Sequence, residues 1–435
     1  MKDSYGVTFS DDMSVLVKCP KKIKGHYIIP DSVTKIGENA FEWCIRLSSV
    51  SIPNGVTEIG DWAFCGCFYL TSISIPESIT ELNESVFVGC SKLTEINIAA
   101  ANPVYTSDQG VVFNKQKSVL VMYPAGKAGG YFIPDSVTEI GVRAFCSCRS
   151  LTSITIPQDV TKIDKDAFLD CCRLTEITIA IANKVYSSDQ GVVFNKQKTT
   201  LVMYPKGKAG SYSIPNSVSE IVRSAFEGCN KLSSISIPDS VIKIEEDAFQ
   251  GCCSLTSITI PKSVKEIGII SFGGCIKLTE INVEPDNEVY TSDQGVVFNK
   301  QRTALFICPQ GKIGSYSIPN GVTTIGKMAF RHCRHLNPIS IPESVTEVGH
   351  GAFLSCRNLQ ELIIPNGVTT IGNSSFRSCS SLTSITIPSS VSKIGEDAFK
   401  NCRSLAEVKI PKGTTAHFLQ CGLKDYQQLL VETGE

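Results

Sequence analysis

The chain has 435 residues, 42% of them hydrophobic, with 41 Lys plus Arg against 42 Asp plus Glu and a formal net charge of -1. That apolar content excludes a wholly disordered chain, and the balanced charge gives no electrostatic reason to coat nucleic acid or an anionic membrane. No run approaches the roughly 18 apolar residues of a membrane-spanning helix, and the opening Met1-Lys2-Asp3-Ser4-Tyr5-Gly6 carries no apolar leader segment.

Residues 1–29 contain two β-rich runs, Tyr5-Gly6-Val7-Thr8-Phe9 and Leu16-Val17-Lys18-Cys19-Pro20. They form a degraded copy of a longer unit that returns three times downstream. The chain therefore opens inside a unit, without the polar cap that a terminal repeat needs, and further sequence upstream is expected.

From Phe41 onward one frame dominates. Phe recurs at 41, 64, 87, 145, 168, 226, 249, 272, 330, 353, 376 and 399; eight of the eleven intervals are 23 residues and the other three are 58. Residues 157–179 show the frame: Pro157, Val160, Ile163, Ala167, Phe168, Cys171, Leu174, Ile177 and Ile179. Runs such as Leu151-Thr152-Ser153-Ile154-Thr155-Ile156 turn Leu and Ile inward and the residues between them outward, the strand pattern of a leucine-rich repeat. Ile-Pro ends each strand, because proline cannot donate to a ladder. Turns such as Asn54-Gly55 and Asn366-Gly367 then redirect the chain. A second short extended piece follows, and Ala-Phe enters the coil on a short 3-10 turn. The spacing predicts a right-handed, mainly β repeat solenoid over residues 1–410, in which each coil is covered by its neighbours.

Each 58-residue interval contains a 35-residue insertion, giving longer units near 99–133, 180–214 and 284–318. Residues 104–124 read Val-Tyr-Thr-Ser-Asp-Gln-Gly-Val-Val-Phe-Asn-Lys-Gln-Lys-Ser-Val-Leu-Val-Met-Tyr-Pro, with near copies at 185–205 and 289–309. Two β-rich runs about a polar Asn-Lys-Gln turn predict a hairpin in each. After Pro411 the frame fails. Phe418, Leu419, Leu423, Tyr426, Leu429 and Leu430 fall at near-helical spacing, which predicts a C-terminal helical cap over 411–435.

The frame Ile-Pro-x-Ser-Val-Thr-x-Ile-Gly-x-x-Ala-Phe-x-x-Cys-x-x-Leu-Thr-x-Ile-x-Ile, clear at 214–237, 260–283 and 387–410, closely resembles the BspA-type leucine-rich repeats. The Gly-Val-Val-Phe-Asn-Lys segments at 110, 191 and 295 resemble longer units interspersed in that family. The resemblance covers nearly the whole chain. It implies a curved right-handed solenoid of the kind found in surface or secreted proteins of host-associated microbes, some of them adhesins, with no catalytic residues to transfer.

The 19 cysteines raise the question of disulfides or metal. Twelve of them, Cys44, Cys67, Cys90, Cys148, Cys171, Cys229, Cys252, Cys275, Cys333, Cys356, Cys379 and Cys402, lie three residues after the repeat Phe. They are expected to stack as a reduced structural ladder, because side chains set in parallel lack the converging Cβ vectors of a disulfide. No C-x-x-C pair occurs, so zinc-ribbon or thioredoxin chemistry has no support. His332, Cys333, His335 and His350 come nearest to a metal cluster, but repeat phase already accounts for Cys333. Gly207-Lys208-Ala209-Gly210-Ser211 lacks the spacing of a phosphate loop. Ser107-Asp108-Gln109-Gly110 lacks the carboxylates of a calcium loop and reads as a plain turn. Neither G-x-S-x-G nor H-E-x-x-H occurs. No catalytic residue, metal ligand or cofactor is expected, and the chain reads as a non-enzyme.

Two surfaces remain as candidates for binding. The first is the outward strand face: Ser153 and Thr155, Glu176 and Thr178, Ser234 and Ser236, Ser257 and Thr259, Glu280 and Asn282. The second lies on the hairpin units, at Tyr105, Tyr186 and Tyr290, with Lys115, Lys196 and Lys300 in the turns; Tyr is common at interface hot spots and Lys is not. The expected function is a non-catalytic module that recognises a protein or glycan through an extended face, with neither nucleic acid nor membrane insertion involved. The resemblance implies the cell surface or secretion. The many unpaired thiols and the leaderless opening suit the alternative, a cytoplasmic protein–protein interaction scaffold.

Overall fold

The computed structural model describes residues 1–434. It divides into two compact units, Met1–Lys198 with Met203–Lys208, and Thr199–Val202 with Ala209 onward.

In the first unit the strands Gly129–Phe132, Leu151–Ile156 and Glu176–Ile179 lie parallel, with Ile154 paired to Ile177 and Thr155 to Thr178. Glu176–Ile179 alternates exposed and buried residues, the period-2 pattern of a half-buried strand. The coils return through two-residue strands: Lys35–Ile36 pairs with Glu58–Ile59, and Glu139–Ile140 with Lys162–Ile163, all parallel. The second unit repeats this scheme, with Ser257–Ile260 on Glu280–Val283 and Thr370–Ile371 on Lys393–Ile394. No coil could bury its Leu, Ile and Phe side chains alone. Stacking leaves Val33, Phe41, Cys44 and Leu47 in one unit, and Val368, Phe376, Cys379 and Leu382 in the other, without solvent exposure.

The Ala-Phe segments are single i→i+3 turns, as in Cys44 N–H to Phe41 O at 3.0 Å. They do not propagate into a 3-10 helix, because left-handed residues flank the Phe on either side. Asn39 (φ 54°) and Trp43 (φ 58°) bracket Phe41, and Ser374 (φ 55°) and Ser378 (φ 61°) bracket Phe376. This double reversal points the ring inward. Phe41 stacks on Phe64 at 4.9 Å and 9°, and Phe330, Phe353, Phe376 and Phe399 continue at 5.0 to 5.4 Å within 8° of parallel.

The insertions are three-stranded rather than two-stranded. Tyr105–Asp108 and Val111–Asn114 pair antiparallel about Gln109 (φ 48°) and Gly110 (φ 77°), the two positive φ values of a type I′ hairpin turn. Val111–Asn114 then pairs with Val119–Met122, which also serves as the return strand of its coil beside Glu139–Ile140. The Asn-Lys-Gln turn is the second of two turns; the first, at Asp-Gln-Gly, lies in the segment read from sequence as a plain turn.

The C-terminal segment starts as expected and ends otherwise. Thr415–Phe418 forms one helical turn, wider and tighter turns continue to Leu429, and Phe418 and Leu423 are buried. Leu430–Thr433 then adds a parallel strand to Glu407–Pro411. Leu430 sits at helical spacing from Leu423 and Tyr426, which conceals this strand in the sequence.

Candidate binding surfaces

The strand face is built by the alternation that buries the core. Eight of the ten residues read from sequence are exposed: Glu176, Thr178, Ser234, Ser236, Ser257, Thr259, Glu280 and Asn282. The register sets Ser257 beside Glu280 and Thr259 beside Asn282, about 4.8 Å apart as neighbouring strands require. Ser234, Ser236, Ser257, Thr259, Glu280 and Asn282 make no side-chain hydrogen bond or ion pair among the described residues, so their polar groups face water. Ser153 and Thr155 are half-buried, because Gly130 and Phe132 of the neighbouring strand lie directly beside them.

That neighbouring strand shows what sequence reasoning missed. Phe132 projects from it with 77% of its surface exposed. The matching positions in the other two insertions are Ser213 and Ser317, and that departure from the repeat was the available signal. Ile28 and Ile363 also stand on strand faces, 67% and 70% exposed, in register with Ser51 and Thr386. Each is a single large apolar side chain among polar strand neighbours rather than part of a contiguous patch.

The hairpin residues have internal duties. The hydroxyl of Tyr105 accepts from Leu82 N–H at 3.2 Å, and that of Tyr290 from Ile267 N–H at 3.2 Å. All three tyrosines are half-buried. Lys115 donates to the carbonyls of Ala100 and Asn102, Lys196 to that of Ile181, and Lys300 to that of Pro285. Beside them lies a group that the sequence did not reveal. Asn287 is fully buried; its Nδ2 donates to Pro261 O and Val264 O, both at 2.9 Å, and its Oδ1 accepts from Val289 N–H at 2.9 Å and Tyr290 N–H at 2.7 Å. Asn102 and Asn183 make the same four bonds. Each saturates the amide and fastens the insertion to the preceding coil.

Eleven of the twelve ladder cysteines are buried, and Cys402 is half-buried. The thiol of Cys252 donates to Phe226 O at 3.2 Å, that of Cys275 to Phe249 O at 3.1 Å and that of Cys379 to Phe353 O at 3.1 Å. Burial raises the Cys90 and Cys356 thiols far above their ordinary value. Cys333 buries its thiol against Cys308 O, while His335 and His350 are exposed. No group of three or more metal-ligating side chains is gathered among the described residues. Gly207 is required by packing: a Cβ there would meet the Arg173 and Leu174 backbone, and its N–H donates to Leu174 O at 2.7 Å. No helix among the described residues is long and apolar enough to cross a membrane.

The chain is similar over 97% of its length to 97% of a leucine rich cell surface protein from Faecalibacterium prausnitzii A2-165, at 25% identity and a TM-score of 0.45. Over 90% of its length it is similar to 91% of a leucine-rich repeat protein from Eubacterium ventriosum, at 20% identity and a TM-score of 0.49. It also aligns along its whole length with 98% of a leucine-rich repeat protein from Bacteroides ovatus, at 24% identity and a TM-score of 0.37. No curated protein sequence matches it. The profile of the BspA type leucine rich repeat region matches residues 21–118, 131–207, 202–316 and 299–421. With most of its length so matched, the chain belongs to the BspA-type leucine-rich repeat family.

Proposed function

We propose that this protein is a non-catalytic binding module that recognises a protein or glycan through its strand faces, at a microbial cell surface. Membership in a repeat family of interaction modules supports the general role. The observation that carries the finer reading is the set Ser257, Thr259, Glu280 and Asn282, four polar side chains in parallel register with no partner in the chain among the described residues. Such a lattice offers donors and acceptors that a ligand can satisfy without breaking internal bonds. Each unit also exposes apolar side chains on its own strand faces, Ile28 and Phe132 in the first and Ile363 in the second.

Ser257→Arg and Thr259→Arg test the reading. Both sites are exposed, so each variant should keep its melting temperature, with stability within about 0.5 kcal/mol, and lose binding to immobilised matrix proteins or glycans that retain the native chain. Unchanged binding by both variants overturns the strand-face assignment. Protease shaving of intact source cells tests location: a protein left untouched inside the cell overturns the surface assignment.

The thiols favour a second reading, an intracellular interaction scaffold. Eight ladder thiols donate to a phenylalanine carbonyl of the preceding coil, and oxidising compartments convert thiols to disulfides. Thiol counting on protein from its native source separates the two: all 19 free supports the cytosol, several bridged supports export.

A further inference from the structure

The three insertions differ at a core position that carries a large ring in two of them. The residue that follows the third strand of each unit is Tyr123 in the first, Tyr204 in the second and Cys308 in the third. In the first unit that ring is part of the core: Tyr123 lies 5.0 Å from Phe145 and 4.7 Å from Tyr131, centroid to centroid. In the third, Phe330 keeps the partner corresponding to Tyr131, Tyr316 at 5.9 Å, but a thiol occupies the place of the tyrosine ring. A second side chain is missing nearby, because Gly273 stands where Val88 and Leu169 stand in the other two copies.

The result is a cavity of about 250 Å³ bounded by Phe272, Tyr290, Phe306, Cys308 and Met328. The corresponding space beside Tyr123 measures about 20 Å³. The cavity wall also includes Ile270 at φ 61°, a left-handed conformation that a β-branched residue rarely adopts. A dry cavity near 150 Å³ accepts benzene, so this one has room for a larger, bicyclic aromatic body.

One end of the cavity is cationic. Lys327 and Arg331 line it and no carboxylate does. The Nε of Arg331 is buried and donates to nothing among the described residues. Gln310 is already committed, donating to Arg331 O at 3.0 Å and accepting from Gly274 N–H at 2.9 Å, so it fixes the arginine backbone and leaves the guanidinium free. A Cβ at Gly273 would stand 3.9 Å from the Arg331 Nη1; the glycine keeps the approach to the guanidinium open. Beyond it lies a smaller chamber of about 190 Å³ lined by His332 and Arg334. The glutamates of the adjoining hollow near Tyr290, Glu245, Glu246 and Glu266, are paired with Arg223 and Lys243, so Lys327 and Arg331 are the charged groups that an anionic head in the cavity would meet.

We propose that the third insertion holds a binding site for a small aromatic carboxylate, its rings in the space vacated by the tyrosine and its carboxylate on Arg331. An arginine whose buried Nε has no partner in the chain can make charge-assisted hydrogen bonds to a carboxylate in the geometry that arginine favours.

Calorimetry and saturation-transfer NMR on the full chain test this with indole-3-acetate, 3-methylindole and octanoate as probes. Indole-3-acetate should bind with one-to-one stoichiometry, and at least about ten-fold more tightly than either of the others, as a charge-assisted bond implies. Cys308→Tyr restores the residue that the other two insertions carry and should abolish binding while the melting temperature holds or rises. Gly273→Val, which gives this position the side chain that Val88 has in the first copy, provides a second block should the first variant fail to fold. Arg331→Gln should remove the preference for indole-3-acetate over 3-methylindole. No binding of indole-3-acetate at millimolar concentration, or full binding by the folded Cys308→Tyr or Gly273→Val variant, overturns the site. Octanoate binding as tightly as indole-3-acetate overturns the aromatic assignment, and a preference that survives Arg331→Gln overturns the carboxylate assignment.

Discussion

The thiol of Cys67 donates to the backbone carbonyl of Phe41, 26 residues earlier and one coil away, at 3.1 Å. The bond joins the two most regular columns of the core, the Phe stack and the Cys ladder, and it gives the Phe41 carbonyl, which already accepts from Cys44 N–H at 3.0 Å, a second donor from the next coil. Cys67→Ala removes both the donor and packed volume, so a loss of about 1–3 kcal/mol in urea unfolding is expected.

The same burial governs reactivity. Thirteen cysteines are buried and six, Cys65, Cys146, Cys172, Cys253, Cys402 and Cys421, are half-buried. The thiolate is the reactive form, and burial suppresses it. Native protein should therefore expose no more than those six to a thiol-specific chromophore within minutes, and all 19 after denaturation. Rapid reaction of a larger number in the folded state would show that the ladder opens.

Asn287 should tolerate almost nothing. Asn287→Leu keeps approximate volume but strands the Val264 carbonyl and the N–H groups of Val289 and Tyr290, while Pro261 O keeps only its bond from Val264 N–H. Buried unsatisfied groups cost about 1–3 kcal/mol each before relaxation, so a loss of at least about 3 kcal/mol is expected. Hydrogen exchange should rise first at Val289 and Tyr290. Asn287→Asp, which keeps the acceptor and loses the donor, should fall between the two.

His332 links stability to pH. Burial, followed by the charges of Arg331, Arg334 and Arg357, lowers its pKa from 6.5 to about 4. Between those values the unfolded chain binds a proton that the folded chain does not, so stability falls as pH drops from 6.5 toward 4 and levels off below. The side chain is half-exposed, and after allowance for solvent screening the loss is roughly 1–2 kcal/mol. Melting curves across that window should show this decline, and His332→Gln should flatten it.

The Phe stack predicts a local failure. Phe353 lies between Phe330 and Phe376 with both rings near parallel, and Phe353→Ala should cost about 3–5 kcal/mol. Stability in a repeat array is a sum of neighbouring terms, so amide protection should drop in the adjoining coils of the second unit while distant coils keep theirs. Uniform loss of protection along the chain would contradict that picture.

Much of this protein was legible from residue order because its physics is periodic. A 23-residue return of Phe, Cys, Leu and Ile specifies which side chains face inward, and stacking identical coils leaves few alternatives. The strand face followed from the same alternation. The repeat could not convey what depends on a single departure from it or on groups distant in sequence. Asn287 is one polar residue in a loop, and its role appears only when Pro261 and Val264 come within reach. Tyr290 reads as a surface aromatic until its hydroxyl is seen to brace Ile267. The terminal strand Leu430–Thr433 was hidden by helical spacing, because pairing with Glu407–Pro411 overrides local pattern. Cys308 and Gly273 are small substitutions within an otherwise faithful copy. Only packing shows that together they leave a cavity, because volume is a property of the neighbours that fail to fill it.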